Sequence, residues 1–286
     1  MSAQPTPPST PAQPTPKRTP RAGRDLPAAI GVGVVLGALV VIGMFFVPPV
    51  IVAVAAAGAG VGTWEVTRAL NLRPGLQVPL APAVVTGALF PVAAYLGGGE
   101  ALIYSVLAAV IVVVLWRAAG PRQGMLPSIM DSVFTMSWVP FMLALAVVLF
   151  RGEDGPARVF TIVVMAIGND TWGYLAGVLW GRHPMAPRIS PKKTWEGFAG
   201  SMVGSVVVGV LCAVLLLHDP WWHGAVLAVL LVIASTVGDL SESMVKREVG
   251  IKDMSHILPG HGGVMDRLDS IVFAAAIGYV VFAALS

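Results

Sequence analysis

The sequence predicts an all-α polytopic integral membrane protein of about nine transmembrane helices, with its N-terminus in the cytoplasm. Three observations predict it. Hydrophobic residues make up 56% of the chain against 12% charged, with a mean hydropathy of +0.80. Apolar runs of about 18 or more residues, long enough to cross a hydrocarbon core, recur along the chain. Basic residues are confined to alternate connections between those runs.

Taken in order, residues 1–25 are rich in Pro, Thr, Ser and Gln and close with Lys17, Arg18, Arg21 and Arg24. This composition predicts a disordered, basic cytoplasmic tail. A cleaved signal peptide fits poorly, because the apolar run after Arg24 continues to full spanning length with no evident cleavage site. That run is the first span, 26–47, and the others follow at 49–67, 78–97, 101–116, 129–150, 159–181, 197–217, 221–240 and 268–285. Pro48-Pro49 makes the first turn tight, and Pro121, Pro127 and Pro140 blur the limits of the fourth and fifth spans. The chain thus divides into the tail, N-terminal transmembrane helices over 26–158, and a C-terminal region over 159–286 with two polar loops, 182–196 and 241–267. The single cysteine, Cys212, lies inside an apolar run, which excludes an intrachain disulfide and argues against a cysteine-based metal site.

With the tail placed inside and the spans alternating, sixteen of the eighteen Lys and Arg fall on the cytoplasmic side, leaving Arg151 and Arg158 outside. Orientation therefore accounts for the net charge of +3, and no aromatic-basic pattern suited to DNA or RNA appears. Nucleic acid is not an expected partner. Both polar loops face the cytoplasm, where nucleotides are available. The expected location is the cell's inner (plasma) membrane.

The chemistry is concentrated near the C-terminus, where Ser243 to Asp269 packs charge, glycine and histidine between two hydrocarbon stretches. Lys246, Arg247, Lys252 and Arg267 stand there beside Glu248, Asp253, Asp266 and Asp269, around a glycine turn from Gly260 to Gly263. Mixed cations and carboxylates around such a turn suit a metal-bound polyphosphate. Asp239, Glu242 and Ser243 share one helical face at the end of the eighth span, and Asp266 and Asp269 sit at i, i+3 where the ninth begins. Hard cations such as Mg²⁺ take carboxylate oxygens together with water and substrate phosphates, which favours Asp239 and Asp266 as metal ligands. N-terminal capping is the competing explanation for Asp266 or Asp269, but not for Asp239 near a helix C-terminus. Gly260, Gly262 and Gly263, around His261, would let backbone N–H groups approach a phosphate closely.

In the earlier loop, Lys192 and Lys193 offer compact cationic donors, with Thr194 and Glu196 at the mouth of the seventh span. Asp170 lies about 18 Å from either end of the sixth span, at about 1.5 Å per residue. A charge at that depth costs at least about 2.5–3.5 kcal/mol on insertion scales, so it marks a functional site by default. Gly173, Gly177 and Gly181 follow on the same stripe and should turn Asp170 toward a neighbouring helix. A structural role for Asn169-Asp170 in locking two helices is the alternative. His218 and His223, beside Trp221 and Trp222, read as an outer interfacial belt. Asp131, Trp64 and Glu65 belong to no recognisable motif.

These residues resemble the phosphatidate cytidylyltransferase, or CDP-diacylglycerol synthase, family. Its C-terminal signature is matched at Ser243, Lys246, Arg247, Lys252, Asp253, Pro259, His261, Gly262, Gly263, Asp266, Arg267 and Asp269. Its SPKKT-x-EG segment is matched from Ser190 to Gly197, and its acidic sixth span ending in Gly-Arg by Asp170 through Gly181-Arg182. Pro184-Met185-Ala186-Pro187 departs from the glycine-containing, more basic linker usual in the family. The resemblance covers about 160–286; the N-terminal half matches only in hydropathy.

The resemblance implies transfer of a cytidylyl group from CTP to phosphatidate, giving CDP-diacylglycerol and diphosphate. It further implies Mg²⁺, with K⁺ as a companion ion, and a homodimer. The lipid's own phosphate oxygen would be the nucleophile, so no Ser-His-Asp triad is needed. On this reading Asp239, Asp266, Asp269, Lys246 and Arg267 are catalytic, with Asp239 and Asp266 on the metal. Ser190, Lys192, Lys193, Thr194, Glu196, Arg247, Lys252, Asp253, His261, Gly262, Gly263 and Asp170 serve the substrates. An ion-coupled membrane transporter is the main rival, since intramembrane Asp and Asn with glycine-broken helices are normal there. Clustering of the charges at one face and the lack of an inverted repeat count against it.

Overall fold

A computed structural model describes residues 26–258 and 262–285, with side chains from residue 31 onward. The tail over 1–25 and His261 lie outside the described residues. Helices dominate: α1 (Leu26–Phe45), α2 (Pro48–Leu70), α3 (Leu80–Ala118), α4 (Met125–Met136), α5 (Met142–Phe150), α6 (Gly155–Trp180), α7 (Trp195–Leu211), α8 (Trp221–Glu248) and α9 (Met265–Leu285). Pro48 and Pro49 occupy the first positions of α2, where the missing N–H is no loss. A π-helical turn over Ser137–Phe141 joins α4 to α5 and accommodates Pro140, whose ring and absent N–H a regular helix could not absorb. A second π-turn, Cys212–Leu216, ends α7. Among the described residues, seven helical stretches are long and apolar enough to cross a membrane, counting α4 with α5 and α7 with its π-turn.

The expected third and fourth spans both fall within α3, which turns back on itself at Gly98 (φ 68°, ψ −153°), a conformation open in practice to glycine alone. Neighbours at the two ends show the reversal. A Cβ on Gly98 would lie 2.7 Å from the Arg151 guanidinium at the end of α5, while Gly124, just beyond α3, abuts the carbonyl of Gly75, just before it. Phe90 and Val110, on opposite halves, line one small apolar cavity with Met136 and Phe141. Counting the two halves of α3 separately and adding the shorter apolar α1 brings the seven stretches near the nine that the hydropathy predicts.

Two departures from the sequence expectation matter. The 182–196 loop is not irregular but carries a short antiparallel hairpin, β1 (Pro184–Ala186) with β2 (Ser190–Thr194). The 241–267 loop is much shorter than expected, because α8 continues two turns beyond residue 240 and α9 starts at Met265. The reason is local: Glu242 pairs with Lys246 at i, i+4, and Lys246 and Arg247 suit the negative end of the helix dipole.

Between helices in lipid, close approach of small residues replaces the hydrophobic effect as the driving force. The glycine stripe of α6 packs on α7 in this way, with Gly173 against Ser201 and Gly177 against Thr194 and Gly197. The Ser201 hydroxyl donates to the Asn169 carbonyl at 2.6 Å, securing the level at which Asp170 leaves the helix. Larger buried side chains fill the spaces farther along. Ile162, Met165, Leu231 and Phe282 pack α6, α8 and α9 together, and Val66, Trp138, Met265 and Val272 join α2 to the π-turn and α9.

Candidate active site

At one end of the bundle the C-terminal turns of α8, the start of α9, the hairpin and the middle of α6 come together. Gly238 sets the spacing. A Cβ there would collide with the Asp269 carbonyl oxygen and come within 2.8 Å of the Phe273 ring, so α8 and α9 touch backbone to backbone. Gly238→Ala is expected to cost about 1–3 kcal/mol of stability, as overpacking generally does. A thermal melt in detergent checks it, and an unchanged midpoint would contradict the contact.

From that contact Asp239, Glu242 and Lys246 run along one face of α8. Lys246 bridges two carboxylates, pairing with Glu242 and reaching Asp266 Oδ1 at 2.9 Å. The Glu242 side chain is 1% exposed, and its Oε1 has no hydrogen-bond partner among the described residues. Asp266 Oδ2 accepts backbone N–H groups from Met254 at 3.0 Å and Gly263 at 2.8 Å. Its two oxygens are therefore held by an ammonium and the loop backbone, which differs from the open metal ligand expected of it.

Asp239 forms an ion pair with Lys193 of β2 at 2.5 Å, tying the hairpin to α8. Asp170 faces Asp239, Lys193 and Ser270, and Asp269 lies within electrostatic reach of Asp239, Asp170 and Lys246. Asp170 is exposed and accepts from the Asn169 amide at 3.2 Å. Five carboxylates thus share the region with two ammonium groups.

Other predicted site residues have structural duties. Thr194 caps α7, its hydroxyl accepting from the Gly197 N–H at 3.1 Å. Glu196 holds the base of the hairpin, with Oε1 2.5 Å from His183 Nδ1 and Oε2 accepting from the N–H groups of Arg182 and His183 at 3.2 Å. Arg247 Nε donates to the Ile189 carbonyl at 3.3 Å, a second tie between α8 and the hairpin tip. Lys192, Lys252 and Arg267 are exposed at this same end, Asp253 is half-buried beside Gly262, and Ser190 starts β2. The phosphate-binding turn expected of Gly262 and Gly263 is not available through their own N–H groups. That of Gly262 bonds the Leu258 carbonyl at 3.2 Å and that of Gly263 is spent on Asp266.

Two carboxylates outside the expected set also reach this end. Asp131 pairs with Arg73, joining α4 to the segment after α2. Glu65 of α2 accepts from the Ser255 hydroxyl and from the N–H groups of Val264 and Met265. An ionisable residue in an apolar helix is itself a signal, and Glu65 carried it.

Among the described residues no three His, Cys, Asp or Glu side chains are disposed to hold a metal ion unaided. Mg²⁺ does not require that, since it is bound through one or two carboxylates together with water and substrate phosphates. The excess of carboxylates over ammonium groups is compatible with such an ion, and Asp239 and Asp269, on facing helices, are the carboxylates that could offer it oxygens.

The profile of the Cytidylyltransferase family matches residues 27–285. The chain is 40% identical over 280 residues to a phosphatidate cytidylyltransferase of Mycobacterium bovis, covering 93% of this chain and 91% of the relative. It is 38% identical over 291 residues to the phosphatidate cytidylyltransferase of Mycobacterium leprae, covering 93% and 90%. A phosphatidate cytidylyltransferase of Brucella abortus is 42% identical over 139 residues, 48% of this chain and 52% of the relative.

Proposed function

The chain belongs to the cytidylyltransferase family, and we infer that it is a nucleotidyltransferase that converts CTP and phosphatidate to CDP-diacylglycerol and diphosphate in phospholipid biosynthesis. The observation that supports this most is the meeting of Asp170, Asp239 and Asp269 with Lys193 and Lys246, from three helices and the hairpin, at one end of a membrane bundle.

In the reaction a phosphate oxygen of phosphatidate bonds to the α-phosphorus of CTP, and the bond from that phosphorus to the oxygen bridging the β-phosphate breaks. Diphosphate leaves with the electron pair. The nucleophile is already anionic near neutral pH, so the residues need not remove a proton. Their task is to align two anions and neutralise charge that gathers on the leaving group. Lys193 and Lys246, each already held by a carboxylate, are preorganised cations for that purpose. Lys192, Arg247, Lys252 and Arg267 lie at the same end and suit phosphate capture from water. A Mg²⁺ ion held by Asp239 and Asp269 would polarise the triphosphate and offset the charge of the leaving diphosphate. Asp266 supports this site through Lys246 and the loop.

The site end is the cytoplasmic one. Twelve of the fourteen Lys and Arg among the described residues fall there, against Arg151 and Arg158 at the other end. Asp170, partway along α6, would then stand at the depth where CTP arriving from water could meet a lipid phosphate arriving from the inner leaflet.

Purified protein given phosphatidate, Mg²⁺ and CTP labelled in the α-phosphate is expected to place label in the lipid phase, whereas γ-labelled CTP leaves it in water. Chelation of the metal should stop the transfer. Lipid free of α-label under these conditions would overturn the proposed activity.

A further inference from the structure

We propose that Glu65, in the N-terminal half of the chain, is a positioning residue of the active site, fixing the turn that launches α9 and with it Asp266 and Asp269. The proposal rests on the reaction inferred above, but its structural ground is independent. Glu65 is fully buried on α2. Its Oε1 accepts from the Ser255 hydroxyl and, at 2.9 Å, from the Val264 N–H; its Oε2 accepts from the Met265 N–H at 2.6 Å. One carboxylate therefore grips both the entering and the leaving strand of the loop between α8 and α9.

The partners explain why an acidic group is needed. A helix leaves its first N–H groups without intrahelical acceptors, and a negative charge there also opposes the helix dipole. Usually a residue just before the helix supplies the oxygen. Here Val264 precedes α9 and has none to offer, so the acceptor comes from a different helix about 200 residues away in sequence. Gly263 completes the fit, since a Cβ there would stand 2.6 Å from Glu65 Oε1.

Asp266 makes a parallel arrangement one step along, accepting from Met254 and Gly263. The two carboxylates alternate along the loop: Asp266 takes 254 and 263, Glu65 takes 255, 264 and 265. Release of the Glu65 grip frees the turn that sets the direction of Asp266 and its pairing with Lys246. Since misplacement of a catalytic group by about 1 Å costs on the order of 10²-fold in rate, the effect on turnover should far exceed that on folding.

The test compares Glu65→Gln and Glu65→Asp with the parent chain, measuring kcat and the KM for CTP, thermal midpoint in detergent, and hydrogen exchange of the 254–268 segment. Glu65→Gln keeps the shape but turns an NH₂ group toward donors. It is expected to lower kcat on the order of 10²-fold, with accelerated exchange confined to Val264, Met265 and their loop neighbours. Glu65→Asp, which retains the charge, should recover part of both. Parent-like turnover and exchange in Glu65→Gln would overturn the proposal. So would deprotection spread through all of α2 and α9 with a collapsed midpoint, which marks a packing role only. If the parent itself forms no CDP-diacylglycerol, the exchange measurement still decides whether Glu65 holds the turn, so failure of the inferred reaction is told apart from failure of this role.

Discussion

Asp239→Asn is expected to reduce CDP-diacylglycerol formation by on the order of 10²–10³-fold while leaving the protein folded, the range seen when one preorganised electrostatic group is removed from an active site. The side chain is nearly isosteric, and its partner Lys193 sits on a hairpin at the bundle end, free to turn to water. What is lost is charge, both for the ion assigned to Asp239 and Asp269 and for holding the Lys193 ammonium in place. A double-mutant cycle with Lys193→Met separates these roles. If Asp239 acts only by tethering the hairpin, the double variant will be no worse than either single one. If it also serves the ion, the apparent Mg²⁺ requirement of Asp239→Asn will rise where that of Lys193→Met does not. Turnover above about a tenth of the parent's, against the loss expected for such a group, removes Asp239 from the site.

Lys246→Met should be the more damaging change to the fold. The ammonium stands between Glu242, 1% exposed, and Asp266, 8% exposed, and its removal leaves two carboxylates facing each other in a region closed to water. Breaking a buried charge pair on one side costs about 3–5 kcal/mol, whereas replacing both partners is often neutral. The thermal midpoint in detergent should therefore fall sharply for Lys246→Met and recover in a Lys246→Met, Glu242→Gln protein. Activity should stay lost in both, because the cation near the phosphates is gone. A Lys246→Met protein as stable as the parent would show that Glu242 and Asp266 do not depend on the bridge.

The fold was legible because hydropathy and charge are one-dimensional signals. Each span needs only an apolar run, and even the two halves of α3 were separable around the glycines at 97–99. Helix ends were harder to place. The charged turns of α8 beyond residue 240 look like loop when judged by polarity alone, although the Glu242–Lys246 spacing announces a helix. That the acidic residues come together was legible as well, since a carboxylate deep in an apolar sequence is rarely idle. Their division of labour was not, because pairing is a matter of three dimensions. Asp266 turned out to be held by Lys246 and the loop backbone, Asp239 by Lys193, and the N–H groups of Gly262 and Gly263 by Leu258 and Asp266. Glu65 could be tied to no motif for the same reason: its donors lie about 190 to 200 residues further on, and no local spacing links them.

The reversal of α3 at Gly98 also offers a practical handle. Gly99, beside it, has open space where a side chain would begin, and it lies at the end of the bundle opposite the carboxylates. Since the chain contains one cysteine, the half-buried Cys212 in the π-turn that ends α7, that corner could carry a thiol-linked dye or epitope as an external marker once Cys212 is replaced. Such a marker would watch the protein from the far bank of the bilayer without disturbing the chemistry.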